Sequence, residues 1–236
     1  MKKAYFLFPL WAFSIFFSGC LPSYYPGLCG AKTPSHILIP DNQRSKQFYA
    51  LDAGTVSAFN DNESNLLARA HRWFVFRRKF GSLNLGWQVY GGQYEATGFD
   101  SLYNGKYEYF GTGPEVSAAI FLPIGKLKIG VGGYITADIE GGNYHDFLKE
   151  TDELGLANNY TQSNFALASA YPFISCSLDE ETTISLQMAY GMPGYISPAL
   201  SYRGGKYGIW CSYLINEREN LKNDFGTVTL GIIFEY

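Results

Sequence analysis

From residue 46 to the end of the chain, apolar and polar positions alternate with a period of two. The last stretch is the clearest. One face reads Gly226, Val228, Leu230, Ile232, Phe234 and Tyr236, and the other reads Thr227, Thr229, Gly231, Ile233 and Glu235. Successive side chains of a strand point to opposite faces, so each such segment predicts a strand with one apolar side. The pattern recurs at 83–91, 127–138, 183–190 and 207–215, and more weakly at 46–59, 66–80, 115–122, 164–178 and 195–203. That makes about ten strands and no long helix, an all-β chain.

The links between these segments come in two kinds. Gly81-Ser82, Pro123 to Lys126, Asp179 to Thr182 and Gly204-Gly205 are tight turns, and they occupy every second position. The three longest links, 93–112, 140–163 and 216–224, all fall in the other set. Outer-membrane barrels pair short periplasmic turns with longer extracellular loops in this way. The expected fold is an up-and-down antiparallel transmembrane β-barrel over residues 46–236. Leu230, Ile232, Phe234 and Tyr236 resemble the C-terminal signal by which such barrels are recognised, which implies the barrel-assembly machinery as a partner. A periplasmic lipocalin-like ligand-binding lipoprotein would also alternate, with its apolar face inward. The scarcity of Lys and Glu on the polar faces favours the membrane.

The N-terminus reads as an address. Lys2 and Lys3 precede an uncharged, mostly apolar stretch from Ala4 to Phe17, which is a secretory pattern. Phe17-Ser18-Gly19-Cys20 resembles the lipobox of bacterial lipoproteins. The resemblance implies a signal peptide over 1–19, a diacylglycerol and an N-acyl chain such as palmitate on Cys20, and no other cofactor. Residues 20–45, with Pro22, Pro26, Pro34 and Pro40, read as a lipidated tether. Leu21 is not the Asp that resembles an inner-membrane retention signal, so a lipid-anchored place in the outer membrane of a Gram-negative cell is expected.

Composition narrows the function. Eighteen basic residues face 21 acidic ones, a net charge of −3. Loss of Lys2 and Lys3 leaves 16 basic against 21 acidic, net −5. Neither value suits a nucleic-acid partner. Charged residues are 17% and aromatics also 17%, while mean hydropathy is −0.09. Cys29, Cys176 and Cys211 remain besides Cys20. Export permits a disulfide, but Cys176 and Cys211 sit in strand patterns as small hydrophobes.

Three features carry candidate chemistry. The second strand segment holds Arg69, His71 and Arg77 on one parity, facing the lumen. Asp52, Glu115, Asp138 and Glu235 have lumen parity on their own strands, so these seven form a candidate lumen charge cluster, read either as a charge-paired plug or as an anion-selective pore. Arg72 has the opposite parity and faces lipid near mid-strand. It must snorkel, be re-aimed by a bulge, or be covered by a partner. Link 140–163 predicts a short helix at 146–154, with His145-Asp146 and the acidic group Glu150, Asp152 and Glu153. Omptin-type proteases are ten-stranded barrels with an Asp/His pair at the rim, and a rim-active hydrolase of that kind is one alternative. No other catalytic pattern and no metal-ligand spacing occurs.

The expected role is non-enzymatic. It is an accessory or structural subunit of a cell-envelope assembly, or a surface-interaction protein working through 93–112 and 140–163 beside another envelope protein. The first alternative is a small-solute channel or transporter.

Overall fold

The computed structural model describes residues 45–55, 64–96, 104–153, 164–192, 195–216 and 227–236. Ten strands form one closed barrel in which each pairs antiparallel with its sequence neighbours and β1 closes on β10. They are β1 (Ser45–Thr55), β2 (Ser64–Arg78), β3 (Gly81–Ala96), β4 (Gly105–Ile124), β5 (Leu127–Gly141), β6 (Asn164–Ser177), β7 (Thr182–Met192), β8 (Tyr195–Gly204), β9 (Tyr207–Asn216) and β10 (Thr227–Glu235). Among the described residues there is one helix, α1 (Asn143–Glu153), in the β5–β6 link. Residues 1–44, which hold the expected signal peptide, Cys20, Cys29 and nearly all of the expected tether, lie outside the described residues.

The parity reading gives the correct faces. Leu83, Leu85, Trp87 and Val89 of β3 are exposed, while Asn84, Gln88 and Tyr90 are buried. On β10, Leu230, Ile232 and Tyr236 point outward and Thr229 and Ile233 inward. With the apolar face outside and a polar face inside, this is a transmembrane barrel and not a lipocalin-like one. Cys176 and Cys211 are free, both on the outward face.

The long-link end departs from expectation. Most of 93–112 is not a loop, because β3 runs to Ala96 and β4 starts at Gly105. A membrane crossing needs only about 9–11 residues of strand, and β4 has 20. The outward residues there change character, from Val89 and Phe110 to Gln93, Glu95, Lys106 and Glu108. The β3–β4 hairpin therefore stands clear of the apolar band, where the alternation that betrays a membrane strand fades.

Inside, aromatic rings cover glycines of the neighbouring strand. Trp73 pairs with Gly86, Tyr90 with Gly111, Tyr109 with Gly92, Tyr171 with Gly132, Phe173 with Gly130 and Trp210 with Gly231. A Cβ at Gly86 would collide with the Trp73 indole, and one at Gly231 with Trp210. Six of the 26 glycines thus work together with six aromatics: the strand that lacks a side chain is covered by its neighbour's ring.

Candidate functional site: a charged network across the lumen

The middle of the lumen is built from β1, β2, β4 and β5. Even positions of β1 and odd positions of β2 face inward, which sets Asp52 and Arg69 at one level and His71 and Trp73 on the next two toward the short-turn end. Asp52 pairs directly with Arg69 in the register. The Arg69 Nε–H donates to Asp52 Oδ1 at 2.7 Å, and His71 Nε2 lies 3.2 Å from Asp52 Oδ2. The other imidazole nitrogen, Nδ1, lies 2.9 Å from Glu115 Oε1. Glu115 also accepts from the Tyr134 hydroxyl at 2.9 Å and from the Trp73 indole N–H. The Trp73 ring stacks on His71, centroids 4.9 Å apart. His71 and Glu115 are 4% and 2% exposed, so the imidazole bridges two carboxylates with almost no water.

A second polar run continues toward the long-link end on β3 and β5. Gln88 donates to Asp138 Oδ1 at 2.7 Å and to Thr136 at 3.1 Å, and Thr136 donates to Asp138 Oδ2 at 2.7 Å. One layer higher, Tyr90 donates to Glu140 Oε2 at 3.1 Å. The opposite wall is different. There β6 to β10 present Ser175, Ser185, Ser197, Ser201, Ser212 and Thr229 with Ala189 and Ala199, all buried. The same strands also bury Leu167, Tyr171, Phe173, Trp210 and Leu214, so the charged wall faces small hydroxyls interspersed with large apolar side chains.

The candidate cluster is corrected in two places. Glu235 is inward but lies at the short-turn end, 2.6 Å from an Arg203 guanidinium nitrogen and paired with Lys46. Arg203 also lies over Phe48, 5.0 Å from its centroid. Arg77 is half-buried at that same end, over the Phe121 ring at 5.1 Å. Both have lumen parity, but parity fixes the face and not the depth. Asp52, Arg69, His71 and Glu115 do converge, with Asp138 beside them. Trp73, Tyr134, Gln88, Thr136, Tyr90, Glu140, Arg203 and Lys46 were not legible as partners. Counting register from the tight β4–β5 turn places Thr136 opposite Glu115 and Tyr134 one inward position away.

Arg72 stays outward, and the β1–β2 and β2–β3 registers run without interruption past it. Its guanidinium lies over Phe74 at 5.1 Å and Tyr49 at 5.6 Å, and reaches Gln47 Oε1 at 3.2 Å. Phe74 and Gln47 both lie toward the short-turn end, so Arg72 snorkels along the wall toward the interface.

At the other end α1 turns into the mouth. Its Tyr144, Phe147 and Leu148 bury against the inward residues Leu67, Tyr90, Tyr94 and Tyr109. Phe147 stacks on Tyr107 at 4.2 Å. His145 is half-buried, and Asp146, Glu150 and Glu153 face solvent; none of them belongs to this packed face. The helix begins at 143 rather than 146, because the Asn143 side chain accepts from the Glu108 backbone N–H at 2.6 Å and ties its start to β4.

No family model and no curated protein matches the chain. Three solved barrels are similar over most of its length. The KdgM porin in complex with disordered oligogalacturonate has TM-score 0.38 and 9% identity, covering 81% of this chain and 99% of that one. Neisserial surface protein A (NspA) gives 0.32 and 11%, covering 81% and 96%. The Salmonella typhi OmpF complex with daunomycin gives 0.27 and 6%, covering 84% and 99%.

Proposed function

We propose that the protein is an outer-membrane barrel that passes small polar solutes, with the Asp52–Arg69–His71–Glu115 network as its constriction. The supporting observation is that four ionisable side chains sit together in mid-lumen. Buried ion pairs are a poor route to stability, since well-packed apolar residues of similar volume do as well or better. A barrel that only had to stand in the membrane gains little from them, whereas a constriction for polar solutes needs polar groups at that depth. In this reading side chains close the lumen, and rotamer changes among them are what would open it.

The expected features of the N-terminus belong to the same reading. Cleavage before Cys20 and its acylation place the tether at the membrane, and Leu230, Ile232, Phe234 and Tyr236 serve the assembly machinery. The reading is non-enzymatic, and His145 and Asp146 are assigned no catalysis. A second reading, the accessory subunit of an envelope assembly, draws on the near-complete burial of the network and on α1 in the mouth.

Planar-bilayer recording separates the two. The channel reading expects small discrete conductance steps from wild type and larger steps from His71→Ala. Silence in wild type and in that variant overturns it. The accessory reading expects crosslinking to a larger envelope protein through the long-link end.

A further inference from the structure

The outer wall has a hollow where β2 to β5 meet at the short-turn end. Phe76, Arg78, Gly81, Ala118, Ile120 and Val131 bound a groove of about 630 Å³. Its small residues make it. Gly81 opens β3 and Ala118 lies one outward position from Ile120, and just beyond the lining the exposed Gly133 pairs with Ala118 and extends the shallow surface. A Cβ at Gly133 would meet only the Ser169 carbonyl oxygen, at an ordinary 3.6 Å. The space is open, not imposed by crowding.

Cations stand at one end of the groove. Arg78 is the last residue of β2, exposed and outward, and Lys79 follows in the turn with its ammonium 5.1 Å from the Phe80 centroid. The exposed acidic residues of this end, Asp179, Glu180 and Glu181, are on the β6–β7 turn instead, and Glu235 points inward to Arg203 and Lys46. The wall beside the cations stays apolar. The pairing of β4 with β3 ends at Gly81 and Ile120, but β4 runs on to Ile124, and Leu122, Ile124, Leu127 and Ile129 remain exposed. Arg78 and Lys79 therefore sit next to surface that lipid covers.

We propose that this groove binds one anionic glycerophospholipid, an acyl chain lying along Ala118 and Gly133 and the phosphodiester head at Arg78 and Lys79. Apolar space and positive charge in register match the two halves of such a lipid. A zwitterionic lipid would fill the groove equally well but would gain less from the cations. The inference is independent of conduction through the lumen.

Native mass spectrometry of the full chain tests it, in non-ionic detergent with equal amounts of phosphatidylglycerol and phosphatidylcholine carrying the same acyl chains. The expected result is at least fivefold more phosphatidylglycerol retained as the first lipid. Arg78→Gln with Lys79→Gln brings the ratio to parity, and Ala118→Phe lowers retention of both lipids. Lys106→Gln, at the far end, changes neither. Heat-modifiable migration checks that each variant is folded, and the groove and charge variants are independent of each other. Parity in wild type overturns the proposal, as does preference surviving in the double variant or an equal effect of Lys106→Gln.

Discussion

His71 and Glu115 are 44 residues apart in the chain and 2.9 Å apart in the lumen. The imidazole spans from Glu115 on β4 to Asp52 on β1, so one side chain ties strands on either side of β2 and β3. Removing one member leaves the others buried without their partner, which costs about 3–5 kcal/mol. Glu115→Ala should lower unfolding stability by that amount, measured by urea titration of heat-modifiable migration. His71→Leu with Glu115→Leu should cost clearly less than the two single changes together, because neither charge is then stranded. Simple additivity would show that the contact is not energetically coupled.

Contacts along the wall offset only a fraction of the cost of placing Arg72 against lipid. A lipid-facing arginine costs about 2–4 kcal/mol at the midplane and about 0–1 kcal/mol near the interface. Snorkelling to Gln47 puts Arg72 between these limits. Arg72→Leu should therefore stabilise the barrel by about 1–2 kcal/mol in the same titration. Loss of stability would mean that the Tyr49 and Phe74 contacts outweigh desolvation.

Gly86 leaves the space that Trp73 fills. Gly86→Val should displace the indole, overpack the lumen at a cost of about 1–3 kcal/mol, and release the indole N–H from Glu115. Tryptophan emission of the folded barrel should shift with it. An unchanged spectrum would show that the ring can move aside without losing its place.

Phe147 holds α1 in the mouth. Phe147→Ala removes a buried ring, a change of about 3–5 kcal/mol where the site cannot collapse. Hydrogen exchange should speed up in 143–153 and stay slow in β3 and β4. If the channel reading holds, conductance rises as well.

Asp179 caps the β6–β7 turn. Its carboxylate accepts from the backbone N–H of Glu181 at 2.8 Å and of Thr182 at 2.7 Å, and these bonds, the Glu181 one foremost, hold its pKa below the ordinary aspartate value. A depressed pKa stabilises the folded turn at pH above the ordinary value of 3.8, and that contribution fades as pH falls through the folded value. Protection of the Glu181 and Thr182 amides, measured as exchange relative to the intrinsic rate at each pH, should fall at acid pH in wild type, and Asp179→Ala should already lack it at neutral pH.

Much of this barrel can be read from its sequence, because a membrane imposes one rule along every strand. Leu127, Ile129, Val131, Ile135 and Ala137 had to alternate with Lys128, Tyr134 and Asp138 to keep lipid on one side, and they do. Where the rule lapses, so does legibility. Tyr94, Tyr107 and Tyr109 face α1 beyond the apolar band, where the alternation is inverted, with Lys106 and Glu108 outward and the rings inward. The candidate cluster shows the same limit. The inward set was right for Asp52, Arg69, His71 and Glu115. Depth depends on how ten strands are staggered, and that sent Glu235 to Arg203 and Arg77 to Phe121.

The pairing of rings with glycines has a further consequence, for how the barrel finds its own registration. A slip of two residues between β2 and β3 preserves every inward and outward assignment, so the membrane does not oppose it. It would, however, set Trp73 against Asn84 or Gln88 instead of Gly86, and the same slip between β9 and β10 would set Trp210 against Thr229 or Ile233. Each ring then meets a side chain where it needs a vacancy. The rings act as keys cut for one alignment, and misaligned hairpins are penalised before the barrel closes.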